Sequence, residues 1–145
     1  MIDTPPVWLL GFAVLVWILD AALDWGVGSG LLVAVGTGLV LLGCVLVGLA
    51  AWQFRRHQTT IIPHLTASNL IRSGVFAWSR NPIYLADAII LAGLCLRWDF
   101  LPSLLLVPVF MTLIQRRFIL GEEDRLRTAF GAEFDDYAQK TRRWI

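Results

Sequence analysis

The sequence has 145 residues, enough for one domain, and its net charge is only +1. Its hydrophobic fraction is 57%, and its charged fraction is 16%, against about 25% in soluble domains. A soluble protein of this size could not bury so much apolar surface, so an integral membrane protein is expected. A nucleic-acid-binding protein is excluded, because it would combine a basic face with few long apolar runs.

Two apolar segments within residues 7–54 predict two membrane-anchoring spans. The first, residues 7–23, contains Asp20, which is a candidate for substrate binding if it lies inside the membrane and unremarkable if it lies at the interface. The second, residues 30–54, has no charged residue and exceeds the roughly 20 residues that a span needs. Small residues recur there every four positions, which predicts a strip for close helix packing. The strip is Gly30, Ala34 and Gly38.

Residues 55–81 predict a folded loop on the cytoplasmic side of the membrane. The loop carries arginine and histidine but no acid, which is the positive-inside pattern. Turn-forming residues alternate in it with too many apolar residues for a free linker. His57 and His64 lie seven residues apart without a neighbouring Cys or acid, so no metal site is expected. Cys44 and Cys95 lie in apolar segments and are expected to behave as small hydrophobic residues.

Residues 82–120 predict a helical hairpin of two more spans, 82–96 and 100–120, joined by a tight turn. Gly121 is expected to end the last span. Residues 121–145 then predict an amphipathic cytoplasmic helix, because its apolar residues share one stripe. The sequence as a whole predicts an all-α protein, a single membrane domain with four transmembrane helices and both termini cytoplasmic. Short loops and small size favour a prokaryotic inner membrane. The apolar stripe of the predicted amphipathic helix is formed by Leu126, Phe130, Phe134 and Tyr137.

The chemistry of residues 79–84 predicts a binding site at a helix start. Asn81 is expected to be an N-cap whose side-chain oxygen accepts a backbone hydrogen bond, and Pro82 suits the first helical position. The N-terminus of such a helix attracts anions, and Arg80 precedes it. The predicted topology brings Glu122 and Glu123 to the same face. Two interpretations follow: a site for a zwitterionic ligand, or an Arg80–glutamate salt bridge that locks the hairpin.

The motifs carry a resemblance that covers about residues 59–143. They are LIRSGVF at 70–76, SRNPIY at 79–84, EEDRL at 122–126 and FGAEFDDY at 130–137. In this order, around a hydrophobic hairpin, they resemble the isoprenylcysteine carboxyl methyltransferase and phospholipid methyltransferase superfamily of integral-membrane enzymes that use S-adenosylmethionine. Position 81 is Asn where the prenylcysteine enzymes usually have His, which counts against a prenylcysteine substrate. Ala86 stands where Gly often follows the Tyr by two.

The resemblance implies a cofactor pocket for S-adenosylmethionine at the cytoplasmic end of the hairpin. The matching positions supply its residues, and no metal is implied. They are Leu70, Gly74, Val75, Phe76, Arg80, Asn81, Pro82, Tyr84, Glu122 and Glu123.

The function expected from the resemblance is methyl transfer to a lipophilic acceptor that enters from the bilayer, either a phospholipid amine or a prenyl-type carboxylate. An amine acceptor must lose a proton, and Asp87, His64 or a glutamate is a candidate base. Arg117 or Arg142 would hold a phosphate or carboxylate headgroup. Two alternatives stay open: an NADPH-dependent oxidoreductase similar to sterol reductases, which have many more spans, and a small membrane subunit without enzymatic activity.

Overall fold

The computed structural model describes residues 4–23, 25–58 and 69–145, and every regular element in these ranges is helical. The prediction of an all-α protein is therefore confirmed. Short 3₁₀ turns span Gly74–Ala77 and Leu101–Leu105, and a π-helical stretch spans Gln115–Ile119. The α-helices are α1 (Pro5–Leu23), α2 (Gly30–Arg56), α3 (Pro82–Arg97), α4 (Leu106–Ile114), α5 (Leu120–Phe130) and α6 (Ala132–Lys140).

Three helical stretches are long and apolar enough to cross a membrane: Pro5–Leu23, Gly30–Arg56 and Leu101–Phe130. They indicate an integral membrane protein. The other predicted span, α3, has 16 residues, fewer than the roughly 20 that cross a bilayer unaided. Eight of those residues are buried, so α3 is a central helix wrapped by protein. Its role as a fourth span stays a prediction.

Helices α2 and α3 pack with their backbones almost in contact. A Cβ atom added at Gly36 would lie 2.5 Å from the amide nitrogen of Arg97 and 2.5 Å from the carbonyl oxygen of Gly93. One added at Gly43 would collide with the side chain of Ile90. Glycine therefore sets the distance between the two helices, and α3 is held closely against a predicted membrane span.

The predicted small-residue strip of α2 is wrong in its register. A Cβ at Gly30 or Gly38 would meet no other atom of the described residues within 4 Å, and Ala34 is exposed. The contact face recurs every seven residues because a seven-residue step keeps one face of a long helix towards its neighbour. The buried small residues on this face are Gly36, Gly43 and Ala50.

Interhelical turns meet at one end of the bundle, called here the distal end. A side-chain oxygen of Asp99, in the turn after α3, accepts hydrogen bonds from the amides of Gly28 and Ser29, before α2. The guanidinium of Arg97 donates to Thr37 Oγ1 over 2.7 Å. These contacts join the α1–α2 turn to the end of α3. The opposite end, where α1 and α3 begin and α2 finishes, is called the site end.

The helix that enters the site end does not stop at Gly121, contrary to the prediction. It continues through Gln115–Ile119 and α5 to Phe130. Glycine inside a helix costs only about 1 kcal/mol relative to alanine, which packing of the buried Phe118 and Ile119 can offset. The chain turns at Gly131, whose φ of +51° suits glycine.

The predicted amphipathic helix of residues 121–145 is accordingly divided at Gly131. Its second part, α6, has Phe134 and Tyr137 buried against the rest of the protein. The apolar stripe therefore packs on the protein at these two positions, rather than on lipid.

We predict that Gly36→Ala destabilises the protein whereas Gly38→Ala does not. The new methyl group at position 36 meets backbone atoms of α3, which cannot move aside as a flexible side chain would, and such overpacking costs about 1–3 kcal/mol. At position 38 the methyl group enters open space, and the change favours the helix slightly. Thermal unfolding in detergent measures both variants; equal melting temperatures would contradict the packing described here.

Candidate active site

A cavity of about 430 Å³ lies at the site end, within the volume range of small-molecule sites, about 300–1,000 Å³. Its walls come from the start of α1, the end of α2, the 3₁₀ turn Gly74–Ala77, the start of α3 and the start of α5. The cavity thus lies where these five elements converge. The lining residues are Thr4, Pro5, Pro6, Phe54, Phe76, Arg80, Asn81, Pro82, Ile83, Tyr84 and Glu122.

One side of the cavity is polar. The hydroxyl of Tyr84 donates to Glu122 Oε1 over 2.6 Å, so the two side chains orient each other. The side chain of Arg80 is 13% exposed, and its Nε is buried without a hydrogen-bond partner among the described residues. Pro82 occupies the first turn of α3, as predicted, and the first-turn amides of any helix lack intrahelical acceptors. This side therefore offers a cation, a helix N-terminus and a carboxylate.

The two adjacent glutamates have different surroundings. Glu122 lines the cavity, whereas Glu123 lies outside the lining and is 9% exposed. Arg143 donates to both oxygens of Glu123, from Nε over 2.9 Å and from a terminal nitrogen over 2.7 Å. Arg80 lies 3.5 Å from the same carboxylate. Of the two alternatives in the sequence, the salt bridge is thus present at Glu123, and the neighbouring Glu122 lines the cavity, where a ligand site stays a prediction.

The prediction that the Asn81 side chain caps α3 is wrong. Asn81 is the N-cap residue, but its side chain makes no capping hydrogen bond within the described chain. Its Nδ2 instead donates to the carbonyl of Arg143 over 3.0 Å. Ser79 Oγ accepts from the amide of Asn81 over 3.1 Å and donates to the same carbonyl over 3.3 Å. The Asn81 side chain therefore binds the C-terminal segment instead of capping α3.

The turn before α3 supplies the apolar side of the cavity. Phe76 packs edge-on against Phe54, with ring centroids 5.4 Å apart. Its carbonyl accepts a hydrogen bond from the Tyr137 hydroxyl over 2.6 Å, and burial raises the pKa of that hydroxyl. Gly74 has a φ of +60°, and a Cβ there would collide with Gln53. Glycine therefore lets this turn approach α2 and places Phe76 in the wall.

Some predicted cofactor residues do not line the cavity. Val75 packs against the small cluster that contains Ala50 and Ile71, behind the wall. Leu70 is half-buried and also lies outside the lining, as do Gly74 and Glu123. A direct role in cofactor binding stays a prediction for these residues.

Asp87, one of the two predicted catalytic residues, is not among the described residues that line the cavity. Asp87 lies one helical turn beyond Tyr84 in α3, is 5% exposed, and has one oxygen, Oδ2, without a hydrogen-bond partner in the described part of the chain. His64 lies outside the described residues. Their roles as a base stay predictions.

The predicted substrate residues lie at three separate places. Arg117 stacks on the ring of Trp8 in α1, 5.4 Å from its centroid. Arg142 is exposed, and its carbonyl accepts from the amide of Arg80 over 3.0 Å. Asp20 lies near the end of α1, far along that helix from the residues that line the cavity. Contact with a substrate stays a prediction for all three.

Sequence reasoning missed several residues of the site. The start of α1 and the residues Phe54 and Ile83 complete the apolar wall, and Arg143 holds Glu123. For α1 a signal was available: Pro5-Pro6 marks a helix start on the predicted cytoplasmic side, where the site was expected. Arg143 belongs to a basic C-terminal cluster, and its sequence distance from Glu123 gives no local clue to their pairing.

Comparison with known proteins agrees with the motifs. A family model described as phospholipid methyltransferase matches residues 31–133, more than two thirds of the chain. No curated protein matches the chain. The matched range includes the whole polar side of the cavity and excludes α1 and the last residues, and it confirms the resemblance inferred from residues 70–137.

We predict that Glu123→Gln destabilises the protein by about 2–3 kcal/mol, because it removes charged hydrogen bonds and leaves the largely buried guanidinium of Arg80 and the partly exposed one of Arg143 without their carboxylate. Glu122→Gln is the matched control, since an amide oxygen can still accept from Tyr84. Chemical unfolding in detergent compares the two. If Glu122→Gln lowers the unfolding free energy as much as Glu123→Gln, the assignment of the stabilising ion pairs to Glu123 alone is wrong.

Proposed function

Because the chain belongs to the phospholipid methyltransferase family, we propose that it is a membrane enzyme that transfers the methyl group of S-adenosylmethionine to a lipophilic acceptor. The observation that carries the cofactor assignment is the cavity at the start of α3. Arg80 and Glu122 both line this cavity beside apolar walls. The buried Nε of Arg80 has no hydrogen-bond partner among the described residues.

The residues of the cavity fit the chemical groups of this cofactor. Arg80 and the first turn of α3 suit its carboxylate, because a guanidinium and helix amides both donate to anions. Glu122 suits its ammonium group, and the hydroxyl of Tyr84 orients that carboxylate. The rings of Phe54 and Phe76 suit the nucleoside part. The volume of about 430 Å³ also supports a ligand of this class.

S-adenosylmethionine, when bound, supplies a methyl group on a sulfonium with an excellent leaving group. Such a reaction depends chiefly on positioning, since two reactants held in line react as one molecule. The chain contributes that positioning through a rigid helix start, with Tyr84 fixed to Glu122. Phe54, Phe76 and Pro82 give the cavity an apolar wall.

The acceptor is proposed to reach the site from the bilayer. Thr4 and the first two residues of α1, Pro5 and Pro6, form part of the wall, and α1 is a candidate membrane span, so the cavity adjoins a lipid-exposed helix. Arg117 or Arg142 would then hold an acidic headgroup. For an amine acceptor, Asp87 Oδ2 would take the proton, because Asp87 lies on the same helix face as Tyr84, one turn away.

A cytoplasmic site is part of the proposal. The last turn of α2 carries Arg55 and Arg56, and Arg116 and Arg117 follow α4 at the same end. At the distal end, Arg97 stands beside Asp99. This distribution supports a cytoplasmic site end by the positive-inside rule, and a prokaryotic inner membrane is the proposed location.

We predict that S-adenosylhomocysteine binds the detergent-purified protein saturably, and that Arg80→Ala and Glu122→Gln each weaken binding by about 10- to 100-fold. Each substitution removes a charged hydrogen bond to the ligand, and such bonds contribute about 1.5–3 kcal/mol. Titration calorimetry measures the affinity. Arg72→Ala is the matched arginine control, because its exposed ion pair with Glu133 lies outside the cavity.

The same titration separates this proposal from the alternatives. Binding of NADPH in place of S-adenosylhomocysteine would favour an oxidoreductase, and binding of neither ligand by folded wild-type protein would contradict an enzymatic site of this kind.

We predict that Asp87→Asn lowers kcat for an amine acceptor by about 100-fold, the scale of general-base catalysis, while S-adenosylhomocysteine affinity stays unchanged. Transfer of radiolabelled methyl to phosphatidylethanolamine in vesicles measures this. A prenylated carboxylate acceptor is the control, since a carboxylate needs no base. An unchanged kcat with the amine would exclude Asp87 as the base.

A further inference from the structure

The last five residues, 141–145, form a strap beneath the start of α3, called here the C-terminal strap. Its backbone holds the residues that precede that helix. The carbonyl of Arg142 accepts from the amide of Arg80 over 3.0 Å. The carbonyl of Arg143 accepts from Asn81 Nδ2 over 3.0 Å and from Ser79 Oγ over 3.3 Å. The backbone at the polar side of the cavity is therefore fixed by the C-terminal strap.

Side chains of the strap anchor it to the rest of the bundle. Arg143 binds Glu123 of α5 through two hydrogen bonds, and these raise the pKa of Arg143. The indole nitrogen of Trp144 donates to Gln115 Oε1 over 3.1 Å, at the π-helical stretch. The strap thus connects the turn before α3 with the helix that carries both glutamates.

Arg80 and Arg143 share one carboxylate. Glu123 Oε1 accepts from Arg143 Nε over 2.9 Å and lies 3.5 Å from the Arg80 guanidinium. The closer, bidentate pair takes most of the hydrogen-bonding capacity of Glu123. Arg80 is left with a looser ion pair and with an Nε that has no hydrogen-bond partner within the described ranges. Without Arg143, Glu123 would be free to bind Arg80 directly and to compete with any anion in the cavity.

We propose that Arg143 is a positioning residue: it holds Glu123 so that Arg80 faces the cavity, and the C-terminal strap holds the backbone of Arg80. Arg143 itself is outside the cavity lining and outside the range matched by the family model. The inference rests on the proposed function, because Arg143 would raise the affinity of Arg80 for the carboxylate of S-adenosylmethionine.

The test uses full-length Arg143→Ala and Arg143→Lys, with Lys140→Ala as the control for a C-terminal cation. Lys140 directly precedes the strap, but its side chain is exposed and pairs with Asp136 within α6. Arg143→Ala is expected to raise KM for S-adenosylmethionine by about tenfold or more, with kcat changed less than about twofold. Arg143→Lys keeps the charge but loses the fork geometry, so it should recover part of the affinity.

A measurement without ligand gives an independent readout. Hydrogen–deuterium exchange of residues 75–84 should become faster in Arg143→Ala, while the buried centre of α3 keeps its protection. Ser79→Ala, which removes a hydrogen bond to the strap but keeps the ion pair, should show a smaller increase. It also keeps the test valid if Arg143→Ala fails to fold.

The outcomes separate the two proposals. If the wild type binds no S-adenosylhomocysteine, the proposed function fails and with it the cofactor role of Arg143. If the wild type binds and Arg143→Ala leaves both KM and exchange unchanged, the positioning role is wrong. Loss of kcat alone, with KM unchanged, would also overturn it, because it would indicate a part in the chemical step.

Discussion

The buried carboxylate of Glu123 is the constraint on which the site end depends. A charge this far from water needs paired partners, and Arg143 and Arg80 supply them from two other parts of the chain. One arginine precedes α3 and the other lies in the C-terminal strap, so a single carboxylate joins three segments. The start of α3 is therefore fixed in space before any ligand is considered.

Neighbouring positions on a helix point about 100° apart, which is how one Glu-Glu pair performs two tasks. Glu123 faces the strap, while Glu122 faces the cavity and receives the Tyr84 hydroxyl. The stretch Gln115–Ile119 precedes them in π-helical form, with one residue more per hydrogen-bonded turn, and this shifts which residues of α5 face inwards. Such stretches occur often at functional sites, and here the stretch also receives Trp144.

The sequence predicted those features of the site that depend on residues close together in the chain. The start of α3 at Pro82 and the placement of Arg80, Tyr84 and Glu122 at one end followed from residue types and hydrophobic runs. The pairing of Arg143 with Glu123 did not, because nothing in either segment specifies a partner so distant along the chain. The packing strip of α2 was misplaced because its many glycines fit a four-residue or a seven-residue repeat equally well. The sequence offers Gly121 and Gly131 as possible helix ends, and only the backbone, with a φ of +51° at Gly131, shows that the break is at the second.

The cavity wall comes partly from the region matched by the family model and partly from residues outside it. Its polar side comes from the region matched by the phospholipid methyltransferase family, whereas Thr4, Pro5 and Pro6 come from outside that region. Under the proposed function, the matched region would hold a charged cofactor common to the family, and α1 would contact the acceptor. The polar side must be rigid, because a positioned cation is effective only if it cannot relax towards its own counter-ion. In the positioning role proposed for it, Arg143 would meet that requirement by binding both oxygens of Glu123, the carboxylate that lies 3.5 Å from Arg80.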